Sequence, residues 1–145
     1  MKLVIQRVSH ARVIKHETLE VAGEINKGLL VLLGVKKGDN QSSANLLAEK
    51  LVKLRIMSDD EKKMNLSIKD VEGEILVVSQ FTLYADTTGG NRPSFIDAAD
   101  AETAGKIYEH FVEKLKSLGV KVATGSFGDY MDIEAVLDGP VTIVT

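Results

Sequence analysis

The chain has 145 residues, of which 44% are hydrophobic and 27% charged, with a formal net charge of −3. That is the composition of an ordinary globular protein, and the length implies one domain, 1–145. The acidic balance disfavours a protein that coats long stretches of nucleic acid, and the lack of Cys excludes disulfides, thiol nucleophiles, Cys-ligated zinc and iron–sulfur clusters.

The start, MKLVIQRV, carries no signal-peptide core, because Gln6 and Arg7 follow only three apolar residues. Met1–Ser9 alternates two faces and predicts a strand. Ala11–Ile25 alternates weakly, is rich in β-branched residues, and predicts one or two strands around His16–Thr18. Gly28–Gly34 is a continuous apolar run ended by glycine on both sides, which suits a strand buried on both faces. Extended by Val35 it is the longest apolar stretch and is too short to span a bilayer. A cytoplasmic protein without a membrane partner is expected.

Lys36–Asn40 reads as a turn. In Gln41–Ile56, Ala44, Leu47, Ala48, Leu51 and Leu54 recur at helical spacing, with Asn40 or Ser42 available as the cap. Ser58–Asp70 is polar, with a short extended piece at Met64–Ile68. Glu74–Ala85 predicts a strand, with Ile75, Val77, Ser79, Phe81 and Leu83 on one face. Thr87–Phe95 is a Gly/Pro loop. Asp100–Leu118 predicts a second helix, capped by Asp100 and stopped at Gly119, with Ala104, Ile107, Tyr108, Phe111, Leu115 and Leu118 inward. Lys121–Thr124, Met131–Leu137 and Val141–Val144 close the chain as strands. Strands and helices do not alternate strictly, so the expected class is α+β with a mixed or antiparallel sheet.

The chemistry-bearing residues are few. His10, His16 and His110 lack the spacing of a helical ligand pair, so no metal site is expected. Gly89–Arg92 resembles no phosphate-binding loop beyond what a flexible turn with one Arg offers. Lys36, Lys37, Lys62 and Lys63 either form a phosphate patch or are solvated turns. Ser79, Gln80 and Thr82 interrupt an otherwise apolar strand, and such groups need protein partners or a ligand. Asp138-Gly139-Pro140 is either a plain turn or a rigid corner with a cis Gly139–Pro140 bond. Arg7 lies on the apolar Leu3/Ile5 face and must reach solvent or hold a carbonyl or carboxylate.

Several blocks then occur in order: Gln6-Arg7-Val8, Gly28 to Val35, Lys63-Met64-Asn65, Ser79-Gln80-Phe81-Thr82-Leu83-Tyr84-Ala85-Asp86, Arg92-Pro93-Ser94-Phe95, Thr124-Gly125-Ser126-Phe127-Gly128 and Gly139-Pro140-Val141-Thr142. Together, and over the whole chain, they resemble the D-aminoacyl-tRNA deacylase family. Two positions depart from the family's pattern. Leu137 stands where it usually has Asn, and Asp129 where it usually has Ala.

The resemblance implies a compact, barrel-like α+β domain working as a homodimer without a cofactor. It implies hydrolysis of the ester joining a D-amino acid, or mischarged glycine, to the 3′-terminal adenosine of tRNA, with no DNA partner. The site would lie at the dimer interface. The Ser79–Leu83 strand, with Ser79, Gln80, Phe81 and Thr82 as the catalytic group, would form its floor. The Gly139–Pro140 corner of the other subunit would reach in and reject L side chains by clash, with Arg7 holding that corner through a main-chain carbonyl. Phe127 would sit near the adenine. Two mechanisms stay open: Thr82 as a nucleophile, or main-chain N–H groups around Phe81 stabilising an oxyanion while water attacks, assisted by the tRNA 2′-hydroxyl. A binding module without turnover and an esterase for small D-amino acid esters are the competing classes.

Overall fold

A computed structural model describes all residues, 1–145. Its organising element is β1 (Lys2–Lys15), which pairs along both edges. On one edge run β2 (Val21–Ile25) and β3 (Gly28–Gly34), both antiparallel to β1. Ala11 pairs with Ile25 and Val8 with Gly28, so β2 and β3 keep one register across a break at residues 26–27. Glu74 bonds both sides of that break: its carboxylate accepts from the Asn26 N–H, and its own N–H donates to the Lys27 carbonyl. On the other edge of β1 lies β8 (Met131–Val144).

Beyond β3 the sheet turns parallel, through β6 (Glu74–Ser79) to β7 (Lys121–Thr124). Between them come α1 (Gln41–Lys53), the small hairpin β4 (Met57–Ser58) with β5 (Met64–Leu66), and α2 (Ala101–Ser117). The class is α+β with a mixed sheet, as the sequence predicts. The sheet nearly closes on itself, because β2 curls toward β7. A Cβ on Gly23 would stand 2.2 Å from the Thr124 carbonyl oxygen, so only glycine permits that approach.

Alternation along the central strands divides the interior in two. Leu3, Ile5, Leu29, Val31, Leu33, Ile75 and Val77 pack against α1 and α2 through Ala44, Ala48, Leu51, Ile107, Phe111 and Leu115. Val8, Ala11, Val13, Leu30, Leu76 and Val78 face the inside of the curled sheet. β3 and β6 are therefore buried on both faces, which explains their unbroken apolar runs. Asn40 caps α1 by accepting the Ser43 N–H, and Asp100 caps α2 by accepting that of Thr103. Gly119 follows α2 at φ +83°. No helix is long and apolar enough to cross a membrane.

Five expected boundaries change. β1 runs unbroken through Ser9 and His10 to Lys15, because β8 pairs with it along that length. α1 stops at Lys53 rather than Ile56. Leu54 is already extended, and the chain beyond it is held by the Arg7 guanidinium, which donates to the Ile56 carbonyl. The extended piece expected over Met64–Ile68 is shorter, Met64–Leu66. The strand expected over Glu74–Ala85 ends at Ser79, and Phe81–Tyr84 forms a 3-10 turn. The reason is that the ladder partners run out: β7 ends at Thr124 opposite Val77, and the last β3 pair is Leu33 with Ser79. After Gln80 donates to the Leu33 carbonyl, the next main-chain groups bond locally, Leu83 N–H to Gln80 and Ala85 N–H to Thr82. Finally, Met131–Leu137 and Val141–Val144 are one strand, since both halves pair with β1. Val8 opposes Leu137 and Gln6 opposes Thr142, so Arg7 alone faces residues 138–141 and the expected turn is a bulge inside β8.

Gly23→Ala is expected to cost about 1–3 kcal/mol, the usual range for forcing extra volume into a packed contact. The urea midpoint, at unchanged slope, is the measurement. A change within about 0.5 kcal/mol, ordinary for surface substitutions, would show that β2 and β7 do not hold this approach in solution.

Candidate functional site

The point where the ladder ends is also where a cavity opens. It has a volume of about 600 Å³ and is lined by Val78, Ser79, Gln80 and Phe81 at the end of β6, by Ala99, Ala101 and Ala104 before and within α2, and by Phe127 to Met131 and Ile133 from the chain leading into β8. That volume lies within the ~300–1,000 Å³ typical of small-molecule sites. The lining contains no His, Lys or Arg, and its only acidic residue is Asp129.

Four of the expected site residues sit at this floor or just behind it. Ser79, Gln80 and Phe81 line the cavity. Thr82 does not; its hydroxyl oxygen accepts a hydrogen bond from the Gln80 side-chain amide. The floor expected as a strand over Ser79–Leu83 is thus a strand end followed by a 3-10 turn. This difference matters chemically. In a strand, main-chain N–H groups are tied into the ladder, whereas the first N–H groups of a helical turn have no partner within it. Those of Phe81 and Thr82 make no hydrogen bond within the chain. The Phe81 ring is 56% exposed and packs edge-on against Phe95, centroids 5.1 Å apart.

Phe127 forms an opposite wall. Its ring leans on Tyr108 at 5.6 Å, and a Cβ on Gly105 would lie 3.5 Å from it, so α2 presents a flat seat. Tyr108 is itself anchored, its hydroxyl donating to the Val77 carbonyl at 2.9 Å. Burial pushes the Tyr108 hydroxyl up to about 12. The helical pattern marks Tyr108 as a core residue but gives no sign that it supports a cavity wall. Asp129, one of the two departures, lines the cavity, and its carboxylate accepts from the Ser126 hydroxyl.

Gly139, Pro140 and Arg7 lie together but outside this lining. The Gly139–Pro140 peptide bond is cis and Gly139 has φ +119°. Arg7 is only 7% exposed. Its Nε faces the Asp138 carbonyl at 3.2 Å and the Asp138 carboxylate at 3.0 Å. Its Nη1 donates to the Ile56 carbonyl at 3.0 Å and to the Ser58 hydroxyl at 3.1 Å. A Cβ on Gly139 would lie 2.9 Å from Val141 Cγ2 and 3.1 Å from Arg7 Nη2, so a side chain there would displace one of them, at a φ that L residues rarely adopt. Leu137, the second departure, is 46% exposed on the same strand.

The three histidines, Lys36 and Lys63 have side-chain partners of their own. His10 bonds Glu24, His16 bonds Asp132 and His110 bonds Asn45, and no group of three His, Asp or Glu side chains is placed to hold a metal ion. Lys36 pairs with Asp97 at 3.6 Å and Lys63 with Glu61 at 2.6 Å. Lys36 and Lys37 follow β3, whereas Lys62 and Lys63 belong to the β4–β5 hairpin.

Comparison with known proteins bears on this geometry. A family model described as D-Tyr-tRNA(Tyr) deacylase matches residues 4–145. A protein of Thermosipho melanesiensis named D-aminoacyl-tRNA deacylase is 51% identical over 145 residues, covering 99% of this chain and 95% of the relative. One of the same name from Roseiflexus sp. is 53% identical over 144 residues, covering 99% and 92%. Among solved structures, one titled c-Myc DNA Unwinding Element Binding Protein superposes with a TM-score of 0.92 at 37% identity, covering 100% of this chain and 97% of its own. Another, titled a probable eukaryotic D-amino acid tRNA deacylase, gives 0.85 at 15% identity, covering 99% and 97%, and shares the fold.

Tyr108→Phe is expected to cost about 0.5–1.5 kcal/mol, the net worth of one hydrogen bond, because the Val77 carbonyl still accepts from the Gly125 N–H. Burial favours protonated Tyr108, so its contribution is complete below the ordinary tyrosine value of 10.0 and is lost as pH rises toward about 12. Burial, with Asp39 and Asp97 adding to it, raises Tyr84 to about 12 as well. The variant's stability should therefore decline less steeply in that window without becoming flat. Equal slopes in thermal melts of the two proteins would show that Tyr108 does not ionise from a buried state.

Proposed function

Because this chain belongs to the D-Tyr-tRNA(Tyr) deacylase family, we propose that it hydrolyses the ester between a D-amino acid and the 3′-terminal adenosine of tRNA, and the same ester of mischarged glycine. The observation that carries this reading is the cavity floor, where Ser79, Gln80 and Phe81 meet two main-chain N–H groups with no partner. Those of Phe81 and Thr82 stabilise the oxyanion that forms when the ester carbonyl is attacked. Donors held in place beforehand need no reorganisation as the charge develops.

Water is the nucleophile, assisted by the ribose 2′-hydroxyl. Two features favour this over Thr82. The Thr82 hydroxyl lies outside the cavity lining, and its neighbour Gln80 donates a hydrogen bond to it, whereas activating a hydroxyl requires a base that takes its proton. Phe127, seated on Tyr108, offers its ring to the terminal adenine.

Chirality is read by the Gly139–Pro140 corner of a second copy. Within one chain that corner stands away from the cavity lining, so a homodimer is required to bring it in. β8, the strand that carries the corner, lies beside β1 and leaves Ile133, Val136, Leu137 and Val144 between 38% and 68% exposed. A long edge strand with exposed apolar side chains is a surface suited to pairing with another chain. Leu137 adds to that surface where an Asn would not. Backbone facing the substrate Cα leaves room for hydrogen or a D side chain but not for an L side chain, so glycine passes.

Single-turnover hydrolysis of matched D-Tyr-tRNA and L-Tyr-tRNA tests this reading. The wild type is expected to release D-Tyr more than ~200-fold faster than L-Tyr, since steric exclusion exceeds the ~10–200-fold that one methylene supplies. Gly139→Ala should lose most of the D-Tyr rate, because its Cβ meets Val141 and Arg7. Thr82→Ala should stay within about tenfold of the wild type, well short of losing an activated nucleophile. Abolished turnover in Thr82→Ala with tRNA still bound would establish the nucleophile instead. Equal rates on a small D-Tyr ester and on charged tRNA would favour a general esterase.

A further inference from the structure

The Lys63-Met64-Asn65 motif takes no part in the cavity, and the hairpin around it has a different position in the fold. β4 is only two residues long, too short to hold itself, yet it is tied down with unusual thoroughness. Asp59, which follows it, accepts the N–H groups of Glu61 and Lys63 on one carboxylate oxygen and the Asn65 side-chain amide, at 2.7 Å, on the other. Arg55 Nε donates to the Asn65 carbonyl at 2.6 Å. The residues held still by this arrangement are Ile56 and Ser58, and both accept from Arg7 Nη1.

A guanidinium is a planar fork of five N–H donors. In Arg7 the two on Nη1 go to Ile56 and Ser58 and the one on Nε goes to Asp138. Acceptors on two sides fix the plane of the group. Nη2 then stands against Gly139, 3.1 Å from where a Cβ would be. The guanidinium thus spans from the hairpin to the bulge of β8, and the position of the bulge depends on the position of the hairpin.

We propose that the β4–β5 hairpin is part of the chirality-selecting apparatus, with Ser58 and Asp138 as positioning residues that act through Arg7 on the Gly139 corner. The inference rests on the reading of that corner as the selector. Ser58 sets one end of the guanidinium. The Asp138 carboxylate, 44% exposed, acts by direction more than by strength, since solvent screens it. With Ser58 replaced by Ala, one Nη1 hydrogen loses its acceptor and the fork can tilt. The corner then gains freedom, and L side chains are excluded less sharply.

The test compares Ser58→Ala, Ser58→Thr, Asp138→Asn and Gly139→Ala with the wild type, as full chains, by the ratio of D-Tyr-tRNA to L-Tyr-tRNA single-turnover rates, with melting temperatures alongside. Ser58→Ala should lower the ratio about tenfold, the scale of one hydrogen bond to a charged group, and Ser58→Thr should restore it to within about threefold. Asp138→Asn should fall between. Equal loss on both substrates in Ser58→Ala, with Gly139→Ala still altering the ratio, would overturn the brace and leave the selector standing. An unchanged ratio in Gly139→Ala would remove the selector and the brace with it. If Ser58→Ala does not fold, a wild-type ratio in Asp138→Asn overturns the proposal.

Discussion

Arg7 brings a positive charge into a strand whose neighbours Leu3, Ile5 and Val8 are almost wholly buried. A buried charge is tolerated only where acceptors surround it, and the chain supplies them from two remote places, the end of α1 with the hairpin after it, and the bulge of β8. Much of the local irregularity follows from that demand. The Ile56 carbonyl, three residues past the end of α1, turns to the guanidinium. β8 departs from β1 opposite Arg7 and rejoins it at Thr142. Glycine suits position 139 because φ is +119° and the guanidinium and Val141 crowd the space a Cβ would need.

The cavity has a different origin in the same sheet. β6 is a central strand with apolar side chains on both faces, and it runs out of partners at Ser79. Polar side chains follow at once, and the backbone coils into a 3-10 turn. Loss of the ladder leaves main-chain donors free, and the end of the two-sided apolar run places Ser79 and Gln80 at the cavity floor. This is the carboxyl end of two parallel strands, where open α/β sheets characteristically bind ligands, here within an α+β fold. The two origins divide the labour of the proposed reaction. In that proposal the floor belongs to one chain's strand end and the selector to a bulge that lies outside that chain's own cavity lining.

Much of this was legible in local pattern. The Gly28–Gly34 run, the inward face of Ala101–Ser117 with its Asp100 cap, and the polar interruption at Ser79 and Gln80 follow from burial periodicity and capping, which act over a few residues. The family resemblance rested on short blocks and pointed to Gly139, Pro140, Arg7 and Phe127. Other features carried no local signature. Alternation continues from Ser79 to Tyr84 in the sequence, so nothing there marks the change from strand to turn. Asp138-Gly139-Pro140 reads as a turn whether it separates two strands or interrupts one. Ser58 and Asn65 look like loop polarity, and Tyr108 like core.

The sequence by itself determined the fold class, the two helices, the central strands and the family, because each depends on the order of side chains along a short stretch or on blocks read in order. Only the tertiary structure decided where β6 stops, that β8 is one strand with a bulge, which acceptors meet Arg7, and that Phe127 rests on Tyr108. Those outcomes depend on which backbone groups find partners on elements distant in sequence, Arg7 with Asp138 or Tyr108 with Val77. No local pattern encodes a partner that arrives only when the sheet has curled.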